Sequence, residues 1–137
     1  MTANQRGAAG AAAGVSVDLS VSGPQDTGDA GIDTLLNFEN LTGSNYADVL
    51  AGTAGNNVID GGKGSDTVSY ADAASAVTVS LAVTSAQDTG GAGTDTIRNV
   101  ENLTGSAFDD HLTGSGVANV LSGGQGDDVL TGRAGAD

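Results

Sequence analysis

The apolar side chains of this sequence recur at intervals of nine residues in two stretches, residues 43–69 and 105–131. Each of them lies between small, polar or β-branched neighbours, an alternation typical of a short strand with one buried face. The stretches between these strands are rich in Gly, Asp, Asn and Ser, which favour turns. The pattern therefore predicts short strands, tight turns and one inward-pointing apolar stripe. The stripe consists of Leu50, Ile59, Val68, Leu112, Leu121 and Leu130.

Two further segments, VSVDLSV at 15–21 and VTVSLAV at 77–83, alternate β-branched and small polar residues. This alternation indicates strands that are half exposed to water. No window places apolar residues at i, i+3, i+4 and i+7 over three turns, so the sequence predicts almost no helix. We therefore expect an all-β protein.

The chain contains a tandem duplication. Residues 15–68 align without a gap on residues 77–130 at an offset of 62 residues, and roughly half of the aligned positions are identical, which marks a repeat architecture. We predict a first copy at 15–76 and a second copy at 77–137, with 1–14 as the end of a preceding repeat. The sequence is thus interpreted as part of a longer array.

Each copy is itself built from contiguous nonapeptides. GSNYADVLA, GTAGNNVID and GGKGSDTVS fill residues 43–69, and GSAFDDHLT, GSGVANVLS and GGQGDDVLT fill residues 105–131. A further unit begins at Gly132, and two isolated units lie at 28–36 and 90–98. Such a short period favours a solenoid of stacked coils over a conventional core.

The composition indicates that burial of apolar side chains alone does not stabilise this fold. Val, Leu, Ile and Phe account for 28 of 137 residues, about 20%, near the limit below which highly charged chains stay disordered. The net charge is −13 and cysteine is absent, which argues against nucleic acid or anionic membrane partners and excludes disulfides and thiolate sites. No apolar run approaches the roughly 20 residues of a transmembrane helix.

The units GGKGSDTVS and GGQGDDVLT contain the candidate metal ligands. Glycines at the first, second and fourth positions allow the backbone to curl so that carbonyl oxygens converge. Asp66 and Asp128, at the sixth position, each add a carboxylate. An all-oxygen shell of this kind suits Ca²⁺ better than Mg²⁺, which demands stricter geometry.

Two nonapeptides would form one coil of 18 residues, so that turns two repeats apart stack on each other. This arrangement predicts three stacked pairs of turns: Asp48 with Asp66, Asp110 with Asp128, and Asn119 with Asp137. Stacked carboxylates repel each other unless a cation lies between them. We therefore expect calcium binding and folding to be coupled.

At this point the sequence resembles the RTX, or hemolysin-type, calcium-binding repeats of proteins exported by bacterial type I secretion systems. The resemblance extends from about Val15 to Asp137. It implies a parallel β-roll, a β-helix solenoid with calcium between stacked turns, which is disordered in the cytoplasm and folds outside the cell. The implied partners are calcium, the rest of the parent polypeptide and the secretion machinery, and the implied location is extracellular or cell-surface.

The resemblance also implies the ligands. Asp66 and Asp128 would bind calcium through their side chains, and Asp48, Asp110 and Asp137 hold the same position in imperfect units. The loops that supply carbonyl groups would be shaped by Gly61, Gly62, Gly64, Gly123, Gly124 and Gly126.

Four residues are weaker candidates. Asn57 and Asn119 replace the sixth-position Asp, so their turns would bind calcium weakly or not at all. Asp33 and Asp95 lie in the isolated units, which have no neighbour 18 residues away, and they could equally cap their own loops.

The sequence does not favour an enzyme. His111, the only histidine, occupies a variable position, and the adjacent carboxylates at 109–110 and 127–128 would point to opposite faces of a strand. Three functions remain open: a secretion and folding module of a toxin or similar protein, a structural repeat of a surface adhesin, and an accessory module of a secreted metalloprotease, lipase or polysaccharide epimerase.

Overall fold

A computed structural model describes residues 5–7, 11–29 and 31–137. This part of the chain is all-β and contains no helix, as predicted. Its strands are β1 (Gln5–Gly7), β2 (Ser16–Asp18), β3 (Pro24–Asp26), β4 (Ile32–Thr34), β5 (Asn40–Thr42), β6 (Val49–Ala51), β7 (Val58–Asp60), β8 (Thr67–Ser69), β9 (Thr78–Ser80), β10 (Gln87–Asp88), β11 (Thr94–Arg98), β12 (Asn102–Thr104), β13 (His111–Thr113), β14 (Val120–Ser122) and β15 (Val129–Thr131).

Parallel strands two nonapeptides apart pair with each other and define the coil. β6 pairs with β8, β5 with β7, β12 with β14 and β13 with β15, all in parallel. Sequential strands thus alternate between two sides of a flattened solenoid. The predicted parallel solenoid with a two-repeat coil is confirmed.

The coils of both copies share the same sheets. One side of the solenoid is the sheet β14-β12-β8-β6-β2, and the other carries β1-β5-β7-β11-β10 and β15-β13-β9. β8 of the first copy pairs with β12 of the second, and β7 pairs with β11. The duplicated segments therefore form one continuous solenoid.

The second copy is displaced by half a coil from the first. β6 pairs with β2 and β8, whereas its counterpart β13 pairs with β9 and β15 on the opposite side. The extra residues between nonapeptide blocks form the antiparallel pairs β3-β4 and β10-β11. Equivalent positions of the two copies consequently lie on opposite faces.

The predicted apolar stripe forms the core. Leu50, Ile59 and Val68 are completely buried and Leu112 is 1% exposed. Leu130 departs from the prediction, since 46% of it is exposed. In the described chain β15 is the last strand of its sheet, so no further coil covers this residue.

Residues 1–4, 8–10 and 30 lie outside the described part of the chain. The predicted end of a preceding repeat at 1–14 therefore falls partly outside it, and of that segment β1 pairs with β5. Across the described residues, no helix is long and apolar enough to cross a membrane.

Candidate metal sites

Residues at the sixth position of the turns form hydrogen-bonded ladders along the edges of the solenoid. The main-chain N–H of Asp48 donates to Asp66 Oδ1 at 2.9 Å, and that of Asp110 donates to Asp128 Oδ1 at 2.9 Å. The N–H of Asn119 donates to Asp137 Oδ1 at 3.0 Å. All three predicted turn pairs are therefore stacked.

In the imperfect turn GSNYAD, both carboxylate oxygens of the aspartate accept hydrogen bonds. Asp48 Oδ2 accepts from the Ser44 N–H at 2.7 Å, and Oδ1 accepts from Ser44 Oγ at 2.7 Å and the Val15 N–H at 2.8 Å. Asp110 accepts the equivalent bonds from Ser106 and Val77. A serine at the second position thus allows this turn to close on its own carboxylate. Sequence analysis did not identify this role of the second-position serine.

The perfect turns have a different backbone, set by their glycines. Gly62 and Gly64 have φ values of 89° and 115°, which favour glycine. A Cβ on Gly62 would lie 2.5 Å from the Ser44 carbonyl oxygen, and one on Gly64 would lie 2.6 Å from that of Tyr46. The glycines therefore let the carbonyl groups of the serine turn approach the glycine turn closely.

The second copy repeats this contact. Gly124 and Gly126 also have positive φ, and their Cβ positions would lie 2.7 Å from the Ser106 carbonyl oxygen and 2.6 Å from that of Phe108. The first glycine of the motif serves a steric need instead, because a Cβ on Gly123 would overlap Asp128 Oδ2. Each glycine turn is thus stacked on a serine turn.

Asp66 has the environment that best fits a bound cation. Its side chain is completely buried, and within the described residues Oδ2 has no hydrogen-bond partner. Burial, together with the negative charges of Asp48 and Glu101, raises the pKa of Asp66 to about 6. A buried, unpartnered carboxylate oxygen beside other carboxylates fits a hard divalent cation.

The remaining aspartate candidates are less enclosed. Asp128 is half-buried and Asp137 is exposed, although each accepts one main-chain hydrogen bond from the coil before it. Their sites are open on the side that faces away from the rest of the solenoid.

Asn57 and Asn119 extend the ladders without charge. Asn57 Oδ1 accepts from the Thr53 N–H at 2.8 Å while Nδ2 donates to the Glu39 carbonyl at 3.1 Å. Asn119 makes the same two bonds, with Ser115 and the Glu101 carbonyl. Each amide thus occupies one main-chain carbonyl oxygen of the turn 18 residues earlier.

Asp95 is not isolated in the structure. Its Oδ1 accepts from the Asn57 N–H and its Oδ2 from the Tyr70 hydroxyl, both at 2.9 Å. The neighbouring turn lies 38 residues away instead of 18 because the β9–β10 segment intervenes. Asp95 is buried, which raises its pKa, but both oxygens have partners. Asp33, which is half-buried, accepts a hydrogen bond from Thr27 Oγ1 at 3.0 Å.

Glu101 is a ladder residue that sequence analysis missed. It directly precedes β12 as Asp66 precedes β8, and β8 and β12 are paired in register. Its Oε2 accepts the N–H of Asp66 at 2.9 Å. The motif NxEN, present as NFEN at 37–40 and NVEN at 99–102, was the available signal.

Side chains alone do not build a metal centre here. Among the residues that the structure describes, no three His, Cys, Asp or Glu side chains are grouped for metal binding. A calcium shell at these turns therefore has to draw several ligands from main-chain carbonyl groups, which the glycine turns bring close.

Comparison with known proteins agrees with this architecture. Residues 42–72 and 104–137 match, in 4 copies, the family described as the RTX calcium-binding nonapeptide repeat. The matched segments contain both perfect turns and the serine turns on which they stack. No curated protein matches the chain.

Proposed function

We propose that calcium between stacked turns switches the solenoid from unfolded to folded, on the premise that residues 42–72 and 104–137 are RTX calcium-binding nonapeptide repeats. The side-chain ligands would be Asp66, Asp128 and Asp137. The turns that end in Asp48 and Asp110 would contribute main-chain carbonyl groups, because hydrogen bonds already occupy those two carboxylates. When bound, calcium supplies positive charge at buried carboxylates. The chain's own contribution is to bring oxygens together and exclude water.

The observation that carries this proposal is the buried, unpartnered Oδ2 of Asp66. Asp48, Asp66 and Asp110 are each at most 1% exposed, in a chain whose net charge is −13. Burial of an unpartnered carboxylate oxygen close to other negative charges opposes folding. Calcium reverses this effect because it binds only the folded state. At a free calcium concentration of 100 times the dissociation constant, each site stabilises the folded state by about 2.7 kcal/mol.

The six motif glycines would position the carbonyl groups. Gly62, Gly64, Gly124 and Gly126 would do so by accepting positive φ and close contact with the preceding turn, while Gly61 and Gly123 would leave room for the carboxylate of their own turn. Asn57, Asn119, Asp33 and Asp95 are proposed as structural residues, because hydrogen bonds occupy their side chains.

Circular dichroism during a calcium titration tests the proposal. The full chain should change cooperatively from coil to β-structure with calcium but not with an equal concentration of magnesium. Asp66→Ala and Asp128→Ala should raise the calcium midpoint, while Asp72→Ala, which removes an exposed carboxylate outside the ladders, should leave it unchanged. Equal β-content in excess chelator would contradict the proposal.

We further propose that this switch serves an exported bacterial protein, in which the chain stays unfolded inside the cell and folds outside. The family match of residues 42–72 and 104–137 supports this context. The calcium midpoint tests it: extracellular modules have dissociation constants of about 10⁻⁴ to 10⁻³ M. A midpoint below about 10⁻⁶ M, in the range of intracellular sensors, would overturn it.

A second candidate is a structural repeat of a surface adhesin. It is favoured by the pairing of β8 with β12 and of β7 with β11, which joins the copies at 15–76 and 77–137 into one uninterrupted rod. Small-angle scattering of two and four linked copies in calcium would show a length proportional to copy number if this candidate holds. An accessory role beside a catalytic domain predicts instead that calcium changes the activity of that domain in the parent protein.

A further inference from the structure

The turn before β12 replaces a six-residue nonapeptide turn with three residues, Asn99 to Glu101. It stacks on the perfect turn that ends in Asp66, 35 residues earlier in the chain. Since Asn102 pairs with Thr67 in register, Glu101 holds the place that the sixth-position Asp holds elsewhere. Its longer side chain compensates for the shorter loop. Glu101 lies outside both segments that match the family.

Oxygen atoms from both turns converge at Gly61. A Cβ on Gly61 would overlap the carbonyl oxygen of Asn99 and would lie 2.6 Å from Asp66 Oδ2. Asn99 adopts a left-handed conformation, with φ 52°. On the same side of the coil, the Glu101 carboxylate reaches the main-chain N–H of Asp66. The Asn99 carbonyl, Asp66 Oδ2 and the Glu101 carboxylate thus all belong to the contact between these two turns.

We propose that Glu101 is a calcium ligand, and that together with Asp66 Oδ2 and the Asn99 carbonyl it forms a site that joins the first copy to the second. The proposal rests on calcium binding by the repeats and adds a residue and a position to it. The buried Oδ2 without a partner and the Asn99 carbonyl oxygen both lie next to the Cβ position of Gly61. Both are oxygen ligands of the kind that hard divalent cations require.

Accepting a main-chain N–H from another coil does not by itself require a charged side chain. The neutral side chains of Asn56 and Asn102 do so elsewhere in the solenoid, accepting from Thr94 and Val120 at 2.9 Å. At Glu101 the carboxylate adds negative charge next to the buried Asp66, which is unfavourable unless a cation is shared. The negative charge of Glu101 beside the unpartnered Asp66 oxygen therefore favours a shared cation over a purely structural role.

The test compares Glu101→Gln with Glu39→Gln in the full chain. Gln keeps an oxygen that can accept the Asp66 N–H but removes the charge. Glu39 occupies the same NxEN motif in the first copy and is exposed, so it is the matched control. Equilibrium dialysis should show one calcium ion fewer per chain for Glu101→Gln, and the folding midpoint should rise at least about tenfold, because even groups that only support metal ligands contribute 10- to 100-fold to affinity. Glu39→Gln should match the unsubstituted chain.

The variant Asp66→Asn, alone and combined with Glu101→Gln, shows whether the two residues share an ion. If they do, the double variant should lose no more calcium than Asp66→Asn does. Unchanged stoichiometry and midpoint in Glu101→Gln would overturn the proposal and leave calcium binding by the repeats intact. A Glu101→Gln chain that stays unfolded at every calcium concentration would overturn it too, since the residue would then be architectural. Failure of the unsubstituted chain to bind calcium would instead overturn the proposed function.

Discussion

The two perfect nonapeptides have nearly the same sequence but different surroundings. Asp66, in an interior coil, is covered by the turn of Glu101 and is completely buried. Asp128, its counterpart 62 residues later, lies in the last described coil and is half-buried. The same contrast holds for the apolar stripe, where Val68 is fully buried and Leu130 is 46% exposed. The environment of a motif is thus set by the coil that follows it.

The largest effect should come from blocking the contact between turns in the interior coil. Gly64→Ala places a Cβ 2.6 Å from the Tyr46 carbonyl at a φ of 115°, and should destabilise the calcium-bound chain by about 2 to 4 kcal/mol. Gly126→Ala meets the same contact with Phe108 but in a coil that can move away, so its cost should be smaller. Urea unfolding in saturating calcium measures both. Equal losses would contradict the contrast between interior and last coil.

Next in size is truncation of the apolar stripe. Val68→Ala should cost about 2 kcal/mol, since it removes buried methyl groups and leaves a cavity. Leu130→Ala removes more carbon, yet should cost less than about 1 kcal/mol because the side chain is already half exposed. Thermal unfolding in calcium compares the two variants. A larger loss for Leu130→Ala would show that another part of the chain covers this end.

A smaller difference in folding stability is expected when the charge of either Asp66 or Asp128 is removed. In chelator, Asp66→Asn should stabilise the folded state by about 1 to 3 kcal/mol at pH 7, because a buried unpaired charge is lost. Asp128→Asn should change it less, since its side chain is more exposed. A compacting osmolyte such as trimethylamine oxide permits the measurement without metal. In calcium the sign should reverse for Asp66→Asn; equal behaviour of both variants in chelator would argue against the buried charge.

The smallest effect concerns pH in the metal-free chain. The pKa of Asp66 is about 6 when folded, against an ordinary value of 3.8. Because the folded state binds this proton more tightly, the stability it contributes is complete below about pH 3.8 and is lost as the pH rises through about 6. Folding in osmolyte should thus weaken between these values.

Asp66→Asn supplies the control for this pH dependence and should reduce it. A remainder is expected from Asp95, whose pKa is also raised by burial. A pH profile that is identical in Asp66→Asn and the unsubstituted chain would contradict the assignment to Asp66.

Much of the regular architecture could be predicted from the sequence because its period is short and uniform. The 18-residue coil, the buried positions of Leu50, Ile59 and Leu112 and the stacking of Asp48 on Asp66 all depend on repeat spacing alone. The calcium ligands themselves stay a prediction, since their assignment rests on the motif.

The departures occur where the spacing changes. Asp95 stacks on Asn57 across 38 residues, and Glu101 stacks on Asp66 across 35 residues. A fixed period cannot align such segments, because insertions alter the distance along the chain without altering the register between strands. The exposure of Leu130 was missed for a related reason: burial in a solenoid depends on the next coil, which local sequence does not describe.

The half-coil displacement between the copies affects how the solenoid can be recognised. β8 of the first copy and its counterpart β15 of the second present their outward side chains on opposite faces. A binding protein directed at one of these strands would find its duplicate on the reverse of the rod. In any array built from such copies, identical epitopes would alternate from front to back, so that a rigid two-headed partner lying along one face would engage every second copy.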